Sequence, residues 1–210
     1  MVEAAYLPLP YPEVGVVEED TLSEQNLALA SSLPERPLVL GGCCCAHVGA
    51  VEGLAARYDR LAVVWLDAHG DLNSAQSSVS GNLWGMPLRM LLDSGTIAPE
   101  DTALVGARSL DPPEEAYIAE SGLRLDDEGI GPALEGADVV YVALDLDVLE
   151  PDQEIAAFIP EPGGLTTETL TATLARVVAA KPLAGAGLTG LTAAPGNTEP
   201  LARFAAALGF

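Results

Sequence analysis

The chain has 210 residues, 49% of them hydrophobic and only 5% aromatic, so it carries material for one domain whose core is built mainly from Leu, Val and Ala. Nine Lys and Arg against 31 Asp and Glu give a formal charge of −22, which argues against a surface that binds nucleic acid or an anionic membrane. No apolar run is long enough to span a bilayer, and the N-terminus has neither a basic region nor a signal-peptide core. The expectation is one domain over residues 1–210 in a soluble, cytoplasmic protein.

Residues 1–35 are Pro-rich and acidic and read as an irregular arm, with room for a short helix from Leu22 to Leu33. PLVLGG (37–42) reads as a short buried strand ending in a glycine turn. The three cysteines follow consecutively, Cys43, Cys44 and Cys45, which is neither a disulfide framework nor a C-x-x-C site. Ala46 to Arg57 reads as a helix. LAVVWL (61–66) is a continuous apolar run of the kind found in a central parallel strand covered on both faces. A polar loop from Asp67 to Gly85, rich in Ser and Gly, precedes a short helix from Met86 to Asp93. Thr102 to Gly106 reads as a strand, Pro113 to Glu120 as a helix and Val139 to Leu144 as a second buried strand. After a loop from Glu150 to Gly164, Thr166 reads as the N-cap of a helix through Ala180. Ala184 to Leu191 is a last, glycine-punctuated strand, and Glu199 to Leu208 a terminal helix. The alternation predicts a three-layer α/β/α sandwich with a mainly parallel sheet.

Ligands of such sheets sit at the carboxyl ends of the strands. Three strands here end in GGCCCAH, DAHGD and DLDVLEPD. Alternate side chains of an extended segment point the same way. Asp67, His69 and Asp71 therefore converge, as do Asp145 and Asp147. Four carboxylates and an imidazole brought together repel unless a cation sits among them. Carboxylate oxygens with imidazole suit Mn²⁺, and two ions roughly 3.5–4 Å apart lower the pKa of a bridging water. The plainer alternative, each Asp capping a turn and His69 an ordinary polar residue, fits a lone Asp better than two such motifs after apolar strands.

These segments resemble the arginase–agmatinase–formiminoglutamase family, the ureohydrolases. The resemblance lies in GG at 41–42, DAHGD at 67–71, SGNLWGMPL at 80–88, ALDLDVLEP at 143–151 and PEPGGLT at 160–166. The family's first strand and following helix look missing or shortened. The resemblance implies metal ligands at Asp67, His69, Asp71, Asp145 and Asp147. Asp67 and Asp145 would bridge two Mn²⁺ ions, Asp71 would complete one site, and His69 and Asp147 the other. A bridging hydroxide would attack a guanidino, amidino or formimino carbon, with Asp71 or Asp147 assisting proton transfer.

Several positions depart from the family pattern. Its sixth ligand, a histidine, is Cys44 here. Three outcomes stand open: Cys44 binds as a thiolate and favours Zn²⁺ or Fe²⁺, His47 on the next turn substitutes, or that site is weak. Trp84 stands where a histidine is usual, so it walls a pocket or stacks on a planar cation instead of moving protons. Thr189 and Thr192 replace an aspartate and a guanidinium-pairing glutamate, and a threonine cannot make the bidentate pair. Asn82 and Ser80 are candidates for a substrate's distal end, while Glu161 reads as a turn residue. The expected partner is a small-molecule substrate, with a homo-oligomer also implied. A single-metal deacylase-like site and a catalytically degenerate family member are the alternatives.

Overall fold

The computed structural model describes residues 15–210 apart from 154 and 193. Within them, six strands form one sheet in the order β1-β6-β5-β2-β3-β4: β1 Leu38–Leu40, β2 Leu61–Leu66, β3 Thr102–Val105, β4 Arg124–Leu125, β5 Val139–Asp145 and β6 Leu183–Thr189. Every pairing is parallel, and β2 and β5 lie at the centre with Leu61–Leu66 in register against Val139–Leu144. The helices are α1 Leu22–Ser32, α2 Ala46–Ala55, α3 Pro87–Asp93, α4 Pro112–Ser121, α5 Asp126–Leu134, α6 Thr167–Ala180 and α7 Thr198–Ala207. None is long and apolar enough to cross a membrane.

The period of two along each strand sorts the core into two halves. Ala62, Val64 and Leu66 of β2 join Val140, Val142 and Leu144 of β5 on one face, where Ile130 of α5, Leu170 and Leu174 of α6 and Phe204 of α7 cover them. Leu61, Val63 and Trp65 point the other way with Tyr141 and Ala143, under Val51 and Leu54 of α2 and Leu88 and Leu91 of α3. The result is the expected three-layer sandwich. The apolar runs 61–66 and 139–144 are strands because both faces are covered.

The short helix expected from Leu22 to Leu33 forms as α1, held against α2, while residues 1–14 of the expected arm lie outside the described set. Elsewhere, one segment goes beyond the expected elements and the last strand is shorter than expected. The segment Arg124–Leu134, for which the sequence predicts no element, is a short strand followed by α5, although Gly129, Gly131 and Pro132 locally favour a loop. Burial of Ile130, Ala133 and Leu134 overrides that local preference, and Asp126, Asp127 and Glu128 suit the positive helix N-terminus. The last strand stops at Thr189, because Gly190 turns the chain with φ +67°.

α1 and α2 meet backbone to backbone. A Cβ on Gly49 would stand 2.6 Å from the Asn26 carbonyl oxygen, and one on Gly53 2.7 Å from that of Ala30. Gly131, by contrast, has open space around it. Gly49→Ala should therefore lower unfolding stability by about 1–2 kcal/mol. Gly131→Ala should raise it by about 0.5–1 kcal/mol, since alanine loses less backbone entropy in a helix. Urea titration of the two variants against the parent reads both signs.

Candidate metal centre

β2 and β5 end side by side, and their C-terminal residues open into a cavity of about 250 Å³. Asp67, Asp71, Asp145 and Asp147 are 1–5% exposed there, and the His69 side chain is 28% exposed. Each loop folds back because its own carboxylates accept backbone N–H groups. Asp67 Oδ1 accepts from His69 N at 2.7 Å, Asp145 Oδ1 from Asp147 N at 3.1 Å, and Asp147 Oδ1 from Ala68 N at 3.0 Å. The last bond ties the β2 loop to the β5 loop. Trp65 Nε1 donates to Asp67 Oδ2 at 3.3 Å.

Two groups of ligand atoms result, each with all members within 4.8 Å of one another. One is Cys44, Asp67 and Asp71, and the other is Asp67, His69 and Asp147. His69 Nδ1 lies 3.0 Å from Asp147 Oδ2 and 3.4 Å from Asp67 Oδ1, and its Nε2 lies 3.7 Å from Glu161 Oε1. Glu161, expected to serve only a turn, thus reaches the site. Asp145 joins through Cys44, whose Sγ donates to Asp145 Oδ2 at 2.9 Å and lies 3.5 Å from Asp67 Oδ2.

The electrostatics expose the conflict. Burial, then neighbouring carboxylates, push Asp71 and Asp145 well above the ordinary carboxylate range. Burial lifts Asp67 to about 6. Hydrogen bonds to Asp147 and Asp67 raise His69 to about 11, while burial and the surrounding carboxylates raise the Cys44 thiol. Asp71 sits at φ +53°, in the left-handed region, and its Oδ2 is buried with no hydrogen-bond partner among the described residues. An orphaned carboxylate oxygen amid three other carboxylates is costly unless a cation meets it. The donors, oxygen with imidazole and one sulfur, fit divalent metal ions.

Two sequence-predicted residues are not brought to the donors' side. His47 is fully engaged behind the site: its Nδ1 is 3.0 Å from the Tyr141 hydroxyl, and its Nε2 is 3.1 Å from Thr189 Oγ1. Thr189 in turn donates to Asp145 Oδ2 at 2.9 Å. Those partners fix the proton order. Tyr141 donates to Nδ1, Nε2–H donates to Thr189, and Thr189 donates to Asp145. Burial lowers His47 to about 3, so it stays neutral. It is a positioning residue behind Asp145 and has no free nitrogen for a metal. Thr192 also fails as a substrate contact: its hydroxyl donates to the Ala156 carbonyl at 2.8 Å, and it does not line the cavity. Asn82 and Trp84 do line it, as does Ser80; Trp84 meets Phe158 edge to face at 5.6 Å.

Other contributors carried little signal in the sequence. Arg108 donates to the carbonyls of Pro162, Gly106, Asp147 and Glu161 at 2.8–2.9 Å, so one guanidinium binds the loop after β5 to that after β3. Glu114 Oε1 accepts from Leu72 N at 2.9 Å and Oε2 from Asp111 N at 2.8 Å, anchoring the end of DAHGD to the start of α4. The Asp-Pro-Pro-Glu spacing at 111–114, a helix N-terminus signature, was the available clue to Glu114. Gly190 is required because a Cβ there would run into the Asp145 carboxylate.

Comparison with known proteins agrees with this arrangement. The arginase of Bacillus caldovelox is 37% identical over 177 residues, covering 69% of this chain and 59% of that protein. The arginase of Bacillus subtilis is 39% identical over 155 residues, covering 62% and 52%. The chain thus spans between half and three-fifths of the length of these curated relatives. The solved B. caldovelox arginase superposes with a TM-score of 0.82 at 29% identity, over 96% of this chain and 82% of that one. The Arginase family model matches residues 13–209, nearly the full length, and with the sheet order and strand-end carboxylates in place this chain belongs to the arginase family.

Proposed function

We propose that this protein is a divalent-metal hydrolase that cleaves a non-peptide C–N bond in a small linear guanidino, amidino or formimino compound. The observation that carries it is the pair of donor groups sharing Asp67, with Asp71 Oδ2 buried and unpartnered between carboxylates. Asp67, Asp71, Asp145, Asp147 and His69 would hold two ions, Mn²⁺ suiting the oxygen and imidazole donors. Bound divalent ions supply Lewis acidity, which makes water nucleophilic near neutral pH and polarises the carbon under attack.

The chain's own residues set the rest. Asp71 has a buried oxygen with no hydrogen-bond partner among the described residues, and Asp147 lies 3.0 Å from His69; in this reading these two carboxylates take and return a proton at the reacting centre. Trp84 and Phe158 wall the cavity, while Asn82 and Ser80 would offer hydrogen bonds to a substrate's distal end. With Thr192 turned to Ala156, no carboxylate stands at that position to pair a guanidinium, so the reading stops at the planar C–N class and names no amino acid. That same loss, with Trp84 in the cavity wall, favours a second reading: a family member that binds metal without turnover. The described cysteines are all free, which suits a reducing cytoplasm. A homo-oligomer, implied by the resemblance, belongs to the same proposal.

Metal loading should raise thermal stability, by about 2.7 kcal/mol when Mn²⁺ is at a hundredfold its Kd, and a chelator should reverse it. Asp71→Asn should melt no lower than the parent without metal, because burial and the neighbouring carboxylates already favour the neutral Asp71 carboxyl, which the amide matches in shape, yet gain far less from Mn²⁺. Paired melting curves with and without Mn²⁺ test this.

The activity itself is read by incubating metal-loaded protein with guanidino, amidino and formimino compounds and measuring urea, formamide or ammonia. Turnover that falls to background in Asp67→Ala is the expected result. Metal binding at two ions per chain with no product from any compound would favour the non-catalytic reading, and one Zn²⁺ per chain with amide cleavage would favour the deacylase-like one.

A further inference from the structure

We propose that the two cation positions of this centre differ in chemical hardness, the one bounded by Cys44, Asp67 and Asp71 taking a thiophilic divalent ion through the Cys44 sulfur, the one bounded by Asp67, His69 and Asp147 taking a hard ion such as Mn²⁺. The inference rests on the metallohydrolase reading above and adds to it the selectivity of each position.

Cys44 packs at the edge of the α2–α3 half of the core, but its sulfur does more than pack. A buried cysteine with no chemical role packs as a small hydrophobe. Cys44 Sγ instead faces polar atoms: Asp145 Oδ2 at 2.9 Å, Asp67 Oδ2 at 3.5 Å and Thr189 Oγ1 at 3.9 Å. Its neighbour Cys45 points away, with Sγ 3.6 Å from the Leu83 carbonyl. Cys43 also lines the cavity, but among the described residues Cys44 is the cysteine whose sulfur falls within a group of ligand atoms. The nitrogen that might have replaced it, on His47, is engaged on both sides by Tyr141 and Thr189. Independently, Asp71 Oδ2 is buried and unpartnered within the same group of ligand atoms.

The two positions also differ in surroundings. Cys44, Asp67 and Asp71 are all buried, while the His69 imidazole is partly open to the cavity. A thiolate is a soft donor and selects Zn²⁺, Co²⁺ or Fe²⁺ over Mn²⁺, whereas carboxylate with imidazole and an open side suits Mn²⁺. Loading the inner position exchanges one proton for one cation: the Cys44 S–H bond breaks, the proton passes to solvent, the sulfur–metal bond forms, and no electron is transferred.

Co²⁺ titration of the full chain in the presence of Mn²⁺ reads the sulfur directly. A near-ultraviolet thiolate-to-cobalt charge-transfer band should grow and saturate at one Co²⁺ per chain. It should vanish in Cys44→Ser and Cys44→His and persist in Cys43→Ser and Cys45→Ser, with circular dichroism confirming that each variant folds. Competition dialysis should show the Zn²⁺-over-Mn²⁺ preference falling at least tenfold in Cys44→His. Cobalt binding without that band, or a band that survives Cys44→Ser, would overturn the inference and leave the metallohydrolase reading in place. Binding of neither Co²⁺ nor Mn²⁺ at any stoichiometry would overturn both.

Discussion

Four carboxylates buried within a few ångströms of one another are the constraint around which this molecule is arranged. Asp67 and Asp71 follow β2, Asp145 and Asp147 follow β5, and the parallel register of those strands forces their ends together. In a low-dielectric interior such a group destabilises the fold unless its charge is met. Backbone N–H groups meet part of it at Asp67, Asp145 and Asp147, and the Tyr141–His47–Thr189 chain supplies one more donor. After these, one buried oxygen of Asp71 remains unmatched. The protein scaffold satisfies its carboxylates only in part, and the remainder is the shape of a cation's demand.

That constraint reaches well beyond the ligands. A Cβ at Gly187 would lie 2.5 Å from both His47 Nδ1 and the Tyr141 hydroxyl, so glycine in β6 is what lets α2 lay His47 on the sheet. Trp65 fills the space beside His47 with an edge-to-face contact at 5.0 Å and also donates to Asp67. Arg108 accounts for the loop side: in a strongly acidic chain with few cations, this one is committed to backbone carbonyls, those of Asp147 and Glu161 among them. Fixing those carbonyls holds the Asp147 loop in place without neutralising Asp147 itself.

The legible parts of the sequence were those where one physical signal dominates. LAVVWL and VVYVAL are unbroken apolar runs, and only a strand covered on both faces needs that. DAHGD and DLD announce convergence by their spacing. Thr166 as an N-cap was readable because its side chain serves its own helix, accepting from Thr169 N. The failures share a different cause. α5 hides behind Gly129, Gly131 and Pro132, whose local preference is overruled by packing that no window of sequence contains. His47 has ligand chemistry and ligand spacing from Cys44, yet its role depends on Tyr141 and Thr189, 94 and 142 residues away. Thr192 was placed by motif alignment, and the turn at Gly190 directs its hydroxyl to Ala156. Arg108 has no motif because its partners are carbonyls, which every residue carries.

How far a substitution at each position would propagate follows from where the residue sits. Asp67, Asp145 and Asp147 are bound into the sheet's own hydrogen-bonding and packing, so altering one disturbs two loops and the strands behind them. Trp84, Asn82 and Phe158 sit on loop segments whose side chains face the cavity or solvent, and exchanging one disturbs little else. The cavity wall is therefore the freer part of this architecture and the carboxylate cluster the more constrained. Cys44 lies between those extremes: its backbone begins the turn into α2, but its sulfur touches the core of the cluster. A change at that position alters the donor without altering the frame. A thiol there keeps the geometry of the carboxylates while offering a softer donor atom than theirs.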